Sequence, residues 1–183
     1  RPQPGHRIYP YLLRHLAVTR PNQCWAADIT YIPLQGGFVY LCAVIDWHSR
    51  CVLAWELSNT LDASFCVRAV QRALALYGPP EIFNTDQGCQ FTATEFTAPL
   101  LALGVKLSMD GKGRCLDNVF VERLWRTVKY NEVYLKSYVT LVDAHTQLER
   151  FFHFYNELRP HSSLANATPG ETYRATLPVA VNQ

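Results

Sequence analysis

The sequence lacks the features that mark membrane proteins, zinc-binding proteins and strongly charged proteins. No apolar run approaches the roughly 20 residues that a membrane-spanning helix needs, and the amino end has no signal-peptide pattern. The six cysteines show neither C-x-x-C pairs nor the Cys/His spacing of a zinc site, and most lie within apolar runs. The formal net charge is only +2, which permits a nucleic-acid partner without requiring one. We therefore expect a cytoplasmic protein with reduced, mostly buried thiols and no membrane contact.

Length and composition favour a single globular domain. With 183 residues, 49% of them hydrophobic, the chain can bury one core but not two large ones. Residues 1–23 combine four prolines with several basic residues, which is typical of a linker. The chain does not begin with Met, so we expect a piece of a longer protein. The predicted core covers residues 24–176, and residues 177–183 form a tail.

The predicted elements begin with strands and then alternate between helices and strands. Segments rich in β-branched and aromatic residues predict an antiparallel meander over residues 24–34, 38–46 and 51–57. Two short strands are predicted over residues 81–85 and 105–109. Helical periodicity and capping residues predict helices that follow Asp62, Thr92, Asp117 and Thr140 and end near residues 77, 103, 130 and 158. Thr92 with Glu95 has the spacing of a capping box.

The order of these elements predicts the fold class. Antiparallel strands come first and crossover helices later, which favours an α/β fold with a five-stranded mixed sheet flanked by helices. That order is shared by the ribonuclease-H-like fold.

Three carboxylates stand out by their positions on these elements. Asp28 interrupts a strand that is otherwise suited to burial, Asp86 follows the end of the fourth strand, and Glu122 lies on the helix after a glycine-containing loop. Each has an ordinary interpretation by itself, as a solvent-facing, turn or surface residue. However, a carboxylate buried in a strand needs compensation, and a divalent cation is one source of it. The carboxyl end of a strand is also where open α/β sheets place ligands.

Carboxylates from three separate elements suit a hard cation such as Mg²⁺ or Mn²⁺, which prefers oxygen ligands. Two such ions can stabilise both the attacking and the leaving oxygen when a phosphodiester is displaced. Residues 106–129 carry six basic residues against three acidic ones. Arg126 and Lys129 follow Glu122 by four and seven positions, so they share its helix face and are predicted to contact the DNA backbone. The same basic stretch adds Lys112, Arg114 and Asn118 as candidate DNA contacts.

The spacing of the acids is also that of a known group of enzymes, since 35 residues separate Asp86 from Glu122, as in the D,D(35)E transposases and retroviral integrases. The chain resembles the integrase-core region of bacterial insertion-sequence transposases of the IS-three family over about residues 9–175. The matching stretches are WAADITYI (25–32), FNTDQGCQF (83–91), SMDGKGRCLDNVFVERLWRTVKY (108–130) and FYNELRPHSSL (154–164), followed by Thr168 and Pro169.

The resemblance implies a ribonuclease-H-like fold and a Mg²⁺ or Mn²⁺ site formed by Asp28, Asp86 and Glu122. It implies cleavage of DNA by water at the ends of the element, followed by transfer of the 3′-hydroxyl into a target strand. Lys129 stands where such proteins carry a DNA-contacting lysine. Proteins of this kind act as multimers on paired DNA ends, so we expect self-association. They carry a helix-turn-helix region before the core, and residues 1–23 contain only the link to it.

Two other functions remain open. The chain could be a non-catalytic DNA-binding remnant of a decayed element, although the three intact acids favour an active enzyme. It could instead be a ribonuclease-H-like nuclease, which would use the same metal chemistry without joining strands.

Several further residues have two interpretations. Asp46 is expected to form a turn or to pair with Arg50. Asn118, one turn before Glu122, either orients that carboxylate or is solvated. Arg159 and His161 either touch DNA or help pack the last long helix against the core. Phe120, Leu124 and Val128 are expected to form the apolar face of their helix, and Trp125 to lie in the core or between subunits.

Overall fold

Five strands form one mixed sheet in the computed structural model of this chain, which describes residues 7–111 and 118–175. The strands are β1 (Cys24–Leu34), β2 (Gly37–Asp46), β3 (Val52–Ser58), β4 (Ile82–Thr85) and β5 (Lys106–Met109). Their order in the sheet is β3-β2-β1-β4-β5. The pairs β1–β2 and β2–β3 are antiparallel, whereas β1–β4 and β4–β5 are parallel. The prediction of a five-stranded mixed sheet is therefore confirmed.

Helices cover both faces of this sheet. They are α1 (Ser64–Tyr77), α2 (Cys89–Thr92), α3 (Thr94–Ala102), α4 (Val119–Asn131), α5 (Leu141–Glu157) and α6 (Pro169–Ala175). Buried residues of α1 and α3 pack on one face together with Trp25 and Ala27. Buried residues of α4 and α5 pack on the other face together with Ala26. Because successive strand residues point to opposite faces, Asp28 shares the α4 side of β1 with Ala26.

Most of the predicted helix boundaries are confirmed to within two residues. Helix α1 ends before Gly78, whose φ of 75° lies in the left-handed region that favours glycine. Helix α5 begins after Thr140, whose hydroxyl accepts a hydrogen bond of 3.1 Å from the backbone nitrogen of Asp143. The predicted cap Asp117 lies outside the described residues.

The capping box predicted at Thr92 is wrong. Thr92 is the last residue of the short helix α2, and its hydroxyl donates a hydrogen bond of 3.1 Å to the carbonyl oxygen of Gly88. Helix α3 begins instead after Ala93, whose extended backbone (φ −64°, ψ 140°) separates the two helices. The spacing of Thr92 and Glu95 fits the pattern, but the chain has already turned helical before Thr92.

The amino-terminal segment lies along the domain without forming a helix or strand over residues 7–23. Leu13 is buried against Cys24 and Ile82, and the backbone nitrogen of Leu12 donates a 3.0 Å hydrogen bond to the hydroxyl of Ser108 on β5. The segment therefore contacts the core through both a buried side chain and a backbone hydrogen bond. Its role as a link to an upstream DNA-binding region stays a prediction.

Five cysteines lie in the described residues, and none of these five forms a disulfide. Four of them are buried and Cys89 is exposed, which confirms the prediction of mostly buried thiols. Within the same ranges, no helix combines the length and the apolar character that crossing a membrane requires.

Candidate active site

Asp28 lies in the middle of β1, where its carboxylate is partly buried. The side chain faces α4, and the indole nitrogen of Trp125 donates a 2.9 Å hydrogen bond to its Oδ2. Burial raises the pKa of Asp28 to about 6, although the hydrogen bonds from Trp125 and from the backbone of Ile29 act to lower it. The negative charges of Asp86 and Glu122 raise this pKa further. The three predicted acids therefore interact electrostatically.

Asp86 is exposed and directly follows β4. Its Oδ1 accepts a 2.8 Å hydrogen bond from the backbone nitrogen of Gly88, which fixes the carboxylate across its own turn. The absence of a side chain at Gly88 is needed for this arrangement, because a Cβ there would lie 2.9 Å from Oδ1 of Asp86. Glycine thus leaves room for the carboxylate at the end of the strand.

Glu122 lies in the first turn of α4 and is exposed. Within residues 7–111 and 118–175 it has no ion pair, so its side chain is free to change rotamer. In those ranges no three His, Cys, Asp or Glu side chains stand close enough together to form a ready metal-binding cluster. The carboxylates of Asp28, Asp86 and Glu122 are therefore neighbours without forming a closed ligand set.

Side-chain hydrogen bonds hold the loop that carries Asp86. The side-chain nitrogen of Asn84 on β4 donates a 2.8 Å hydrogen bond to Oδ1 of Asp110, which follows β5. The side-chain nitrogen of Gln87 donates a 2.8 Å hydrogen bond to the carbonyl oxygen of Asp110. These bonds tie the ends of β4 and β5 together. Sequence reasoning missed the contact between Asn84 and Asp110, because a buried amide–carboxylate pair has no characteristic spacing.

Asp46 forms a turn, as one of its two interpretations predicts. Its Oδ1 accepts hydrogen bonds from the backbone and hydroxyl of Ser49, at 2.8 and 2.7 Å, and its Oδ2 accepts one from the backbone of Asn22 at 2.8 Å. Arg50 donates only its backbone nitrogen to the Asp46 carbonyl oxygen. Asp46 is fully buried and structural.

The candidate DNA contacts fall in different environments. Lys129 is half-buried and Arg126 is exposed, and both follow Glu122 along α4. Asn118 is buried, and its Oδ1 has no hydrogen-bond partner among the described residues, so the solvated interpretation is wrong. Lys112 and Arg114 lie outside the described residues.

Arg159 and His161 lie beside α4 rather than with the carboxylates. With Arg50, Arg123 and Arg126 they line a depression of about 280 Å³, which we call the arginine pocket. Sequence reasoning missed Arg50 and Arg123, which come from separate parts of the chain.

Phe120 was expected on the apolar face of α4, and this prediction is wrong. The buried residues of the helix are Val121, Leu124, Trp125 and Val128. The ring of Phe120 is only half-buried; it packs against Trp47 with centroids 4.9 Å apart and carries the guanidinium of Arg50 on its face. A neighbouring hairpin turn, rather than the core, receives this side chain.

Most of the sequence matches a known protein domain. Residues 18–115 match the integrase core domain, and residues 103–169 match a second description of the integrase core domain. The first match alone covers more than half of the chain. This chain belongs to the integrase core domain family.

The integrase core is similar to proteins of bacterial insertion sequences, which confirms the resemblance seen in the motifs. It is 32% identical over 152 residues to the transposase InsF for insertion sequence IS3A of Escherichia coli (strain K12), covering 81% of this chain and 53% of that protein. It is 30% identical over 154 residues to the transposase for IS904 of Lactococcus lactis, covering 82% and 61%. A 31 kDa protein of insertion element IS600 from Shigella sonnei is 31% identical over 166 residues, covering 88% and 61%. The chain thus spans less than two thirds of these relatives.

Solved structures share the fold of the integrase core. A chain of the simian T-cell lymphotropic virus intasome superposes with a TM-score of 0.76 at 19% identity, covering 98% of this chain and 63% of that one. The HTLV-2 integrase catalytic core domain in complex with magnesium superposes with a TM-score of 0.67 at 21% identity, covering 84% and 97%. The predicted ribonuclease-H-like fold, which retroviral integrase cores have, is confirmed.

Proposed function

We propose that this chain is the catalytic core of a bacterial insertion-sequence transposase. It cleaves DNA at the ends of the element and transfers the resulting 3′-hydroxyl into a target strand. Membership of the integrase core family and the similarity to bacterial transposases support this proposal. The observation that carries it is the partly buried carboxylate of Asp28, whose pKa is raised by burial and by the charges of Asp86 and Glu122.

The donor set fits a divalent cation. The three carboxylates repel one another. Within the described residues, no lysine or arginine forms an ion pair with any of them. Carboxylate oxygens are the ligands that Mg²⁺ and Mn²⁺ prefer, and the HTLV-2 core of the same fold was solved with magnesium. We assign Asp28, Asp86 and Glu122 as the metal ligands. Such ions, when bound, neutralise the charge that develops on the attacking and leaving oxygens.

The remaining residues orient these ligands and bind DNA. Trp125 fixes the Asp28 carboxylate toward α4, and the Gly88 turn fixes Asp86. Glu122 is exposed, as is Asp86, and its carboxylate would complete the ligand set. Arg126 and Lys129, on the same helix face, bind backbone phosphates of the element end. Asn118 directly precedes the first turn of α4, which carries Glu122, but its buried side-chain Oδ1 forms no cap hydrogen bond to that turn; its proposed role is a contact to DNA.

The proposal also covers the substrates, the assembly and the cellular location of this protein. The substrates are element ends and target DNA, bound by a multimer of this protein. The relatives come from bacteria, so we place the protein in the bacterial cytoplasm. Recognition of specific end sequences is a role for the helix-turn-helix region that the resemblance implies, outside the catalytic core.

A strand-transfer assay tests the proposal. The protein is incubated with Mg²⁺ or Mn²⁺ and a pre-cleaved element end that has a free 3′-hydroxyl. The protein concentration is kept above the dissociation constant for this DNA, measured by fluorescence anisotropy. The wild type is compared with Glu122→Gln, and with Glu95→Gln, which alters an exposed glutamate on α3. Joined product is expected from the wild type and Glu95→Gln only. Hydrolysis without joining would favour the nuclease, and DNA binding without any metal-dependent product would favour the non-catalytic remnant.

A further inference from the structure

The arginine pocket concentrates positive charge on the flank of α4. Arg123 and Arg126 come from α4, Arg50 from the turn between β2 and β3, and Arg159 and His161 from the segment after α5. The ten residues that line the depression include four arginines and several hydroxyl side chains, but no carboxylate. Glu122 does not line it. The pocket is therefore a cationic surface beside the catalytic carboxylates rather than part of them.

Arg50 is held in place by an unusual backbone and by an aromatic ring. Its φ is 66°, a left-handed conformation that costs least for glycine or asparagine. Its guanidinium carbon lies 3.2 Å from the centroid of the Phe120 ring, a cation–π contact that fixes the charge at the pocket wall. Glycine would adopt this left-handed backbone at a lower cost than arginine. We therefore infer that the arginine side chain, and not only the turn, has a role at this position.

No pocket arginine forms an ion pair among the described residues, although the charge of Asp46 acts on Arg50. Arg20, Arg68, Lys136 and Arg174 each pair with a glutamate. None of the four pocket arginines has such a pair within residues 7–111 and 118–175. The buried Nε2 of His161 also lacks a hydrogen-bond partner there, although its ring packs edge-on against Tyr155 at 4.9 Å. Four arginines without an ion pair, beside a buried polar atom without a hydrogen-bond partner, are suited to an anion.

We propose that the arginine pocket binds one phosphate group of the DNA backbone, next to the catalytic carboxylates. The planar guanidinium groups of Arg50 and Arg123 match phosphate oxygens, and Nε2 of His161 supplies a further polar contact. DNA is favoured over a free anion because Arg126 lines the pocket and also follows Glu122 by one helical turn. A strand that passes the carboxylates thus continues into the pocket.

This inference rests on the proposed function only in naming DNA as the source of the phosphate. Binding is measured in EDTA, where no metal-dependent chemistry takes place. A protein that binds DNA through the pocket but joins no strands would refute the proposed function and leave the inference standing. A protein that joins strands without using the pocket would support the proposed function and refute the inference.

The first experiment measures DNA binding against salt. A labelled duplex is titrated by fluorescence anisotropy between 50 and 200 mM salt, a range in which phosphate contacts give measurable slopes. The variants are Arg50→Gly and Arg123→Ala. Glycine suits the left-handed backbone of residue 50, so loss of binding in Arg50→Gly cannot come from backbone strain. Arg150→Ala, at an exposed position on α5 outside the pocket, is the matched control.

The expected result is that each pocket variant binds about tenfold more weakly and loses about 0.9 from the slope of log K against log salt. Arg150→Ala should match the wild type. Wild-type affinity and slope in Arg50→Gly and Arg123→Ala would overturn the proposal.

The second experiment separates the two sources of phosphate. Inorganic phosphate, compared with chloride at equal ionic strength, is expected to raise the melting temperature of the wild type and of Arg150→Ala more than that of Arg50→Gly, which retains only the non-specific stabilisation by phosphate. If phosphate stabilises the wild type through the pocket while the DNA slopes stay unchanged, the pocket takes a free anion and the DNA assignment is wrong. Equal stabilisation of Arg50→Gly by phosphate would refute the pocket as an anion site.

Discussion

The indole nitrogen of Trp125 donates a 2.9 Å hydrogen bond to Oδ2 of Asp28, and this bond joins helix α4 to the central strand β1. Helix α4 also carries Glu122, one turn before Trp125. The same contact therefore sets both the orientation of one carboxylate and the position of the helix that supplies another. Trp125 is a positioning residue in the proposed mechanism, since it acts through Asp28.

Trp125→Phe should weaken metal-dependent joining while keeping the aromatic packing. Phenylalanine retains a ring but has no N–H group, so Asp28 loses its side-chain donor. Removing a residue that orients a metal ligand typically costs 10- to 100-fold in metal affinity or activity, so the Mg²⁺ concentration for half-maximal joining should rise by about tenfold or more. The measurement is a Mg²⁺ titration of the strand-transfer rate.

Trp55→Phe is the control for this substitution. Trp55 packs against Phe152 and His145, away from the carboxylates. Both variants should lose some thermal stability, but only Trp125→Phe should change the Mg²⁺ dependence. An unchanged Mg²⁺ dependence in Trp125→Phe would mean that Trp125 supports the fold but does not position the metal ligand Asp28.

Asp28→Asn should abolish joining without destabilising the metal-free protein at pH 7. The folded protein raises the pKa of Asp28 from its ordinary value of 3.8 to about 6, so folding disfavours the charged form. This penalty is fully present above pH 6 and disappears as the pH falls below 4. Removing the charge should therefore raise the free energy of unfolding at pH 7, by up to about 3 kcal/mol.

The measurement is urea unfolding in EDTA, combined with the strand-transfer assay. Loss of both activity and stability in Asp28→Asn would mean that the carboxylate supports the fold rather than the chemistry. Glu122→Gln, at an exposed position, should lose activity with little change in stability.

The sheet and most of its helices are predictable from the sequence because their signals are local. The alternation and composition of β1 to β3 and the Thr140 cap of α5 depend only on neighbouring residues. The three acids could be singled out from the sequence because the 35-residue spacing and the surrounding motifs are local features of the chain, and their role as metal ligands stays a prediction. The order β3-β2-β1-β4-β5 depends on which strands pair. The sequence indicates this pairing only through its resemblance to the transposase family.

What the sequence could not supply are contacts between distant segments. Trp125 and Asp28 are 97 positions apart, and no periodicity connects them. The arginine pocket combines residues from a hairpin turn, α4 and the segment after α5. Helical periodicity shows which residues of α4 can share a face, but it does not show what packs on each residue. It therefore could not show that Phe120 contacts Arg50 instead of the core.

Gly88→Ala should impair catalysis more than stability. The backbone of Gly88 (φ −61°, ψ 150°) accepts alanine, but the new Cβ would lie 2.9 Å from Oδ1 of Asp86. The carboxylate must move, and with it the proposed metal ligand. We expect at least a tenfold loss in joining rate, measured at saturating DNA.

Gly36→Ala is the matched control for this change, because a Cβ at Gly36 meets nothing within 4 Å. Its joining rate should equal that of the wild type. Full activity in Gly88→Ala would show that the orientation of Asp86 does not matter to the chemistry.

Lys129→Ala should weaken DNA binding without changing the fold. Lys129 follows Glu122 by two turns on the same face of α4, and loss of one phosphate contact should lower the salt slope of binding by about 0.9. The measurement is anisotropy in EDTA, with Lys106→Ala on the edge strand β5 as a control. An unchanged slope would remove Lys129 from the DNA contact.

The pH dependence of stability should report on His161. Burial, followed by the charges of Arg159 and Arg50, lowers the pKa of His161 from its ordinary value of 6.5 to about 4 in the folded protein. Between these two values the unfolded chain binds the proton and the folded protein does not. The stability that comes from the neutral ring is therefore fully present above pH 6.5 and is lost progressively as the pH falls toward 4.

Replacing His161 by glutamine removes this titration, so the melting temperature of His161→Gln should fall less than that of the wild type between pH 7 and pH 5. His153→Gln, at an exposed position on α5, should follow the wild type. Inorganic phosphate should reduce the wild-type loss, because a bound anion offsets the arginine charges that disfavour the protonated ring. Identical pH dependence in the wild type and His161→Gln would mean that the pocket does not hold the ring in its neutral form.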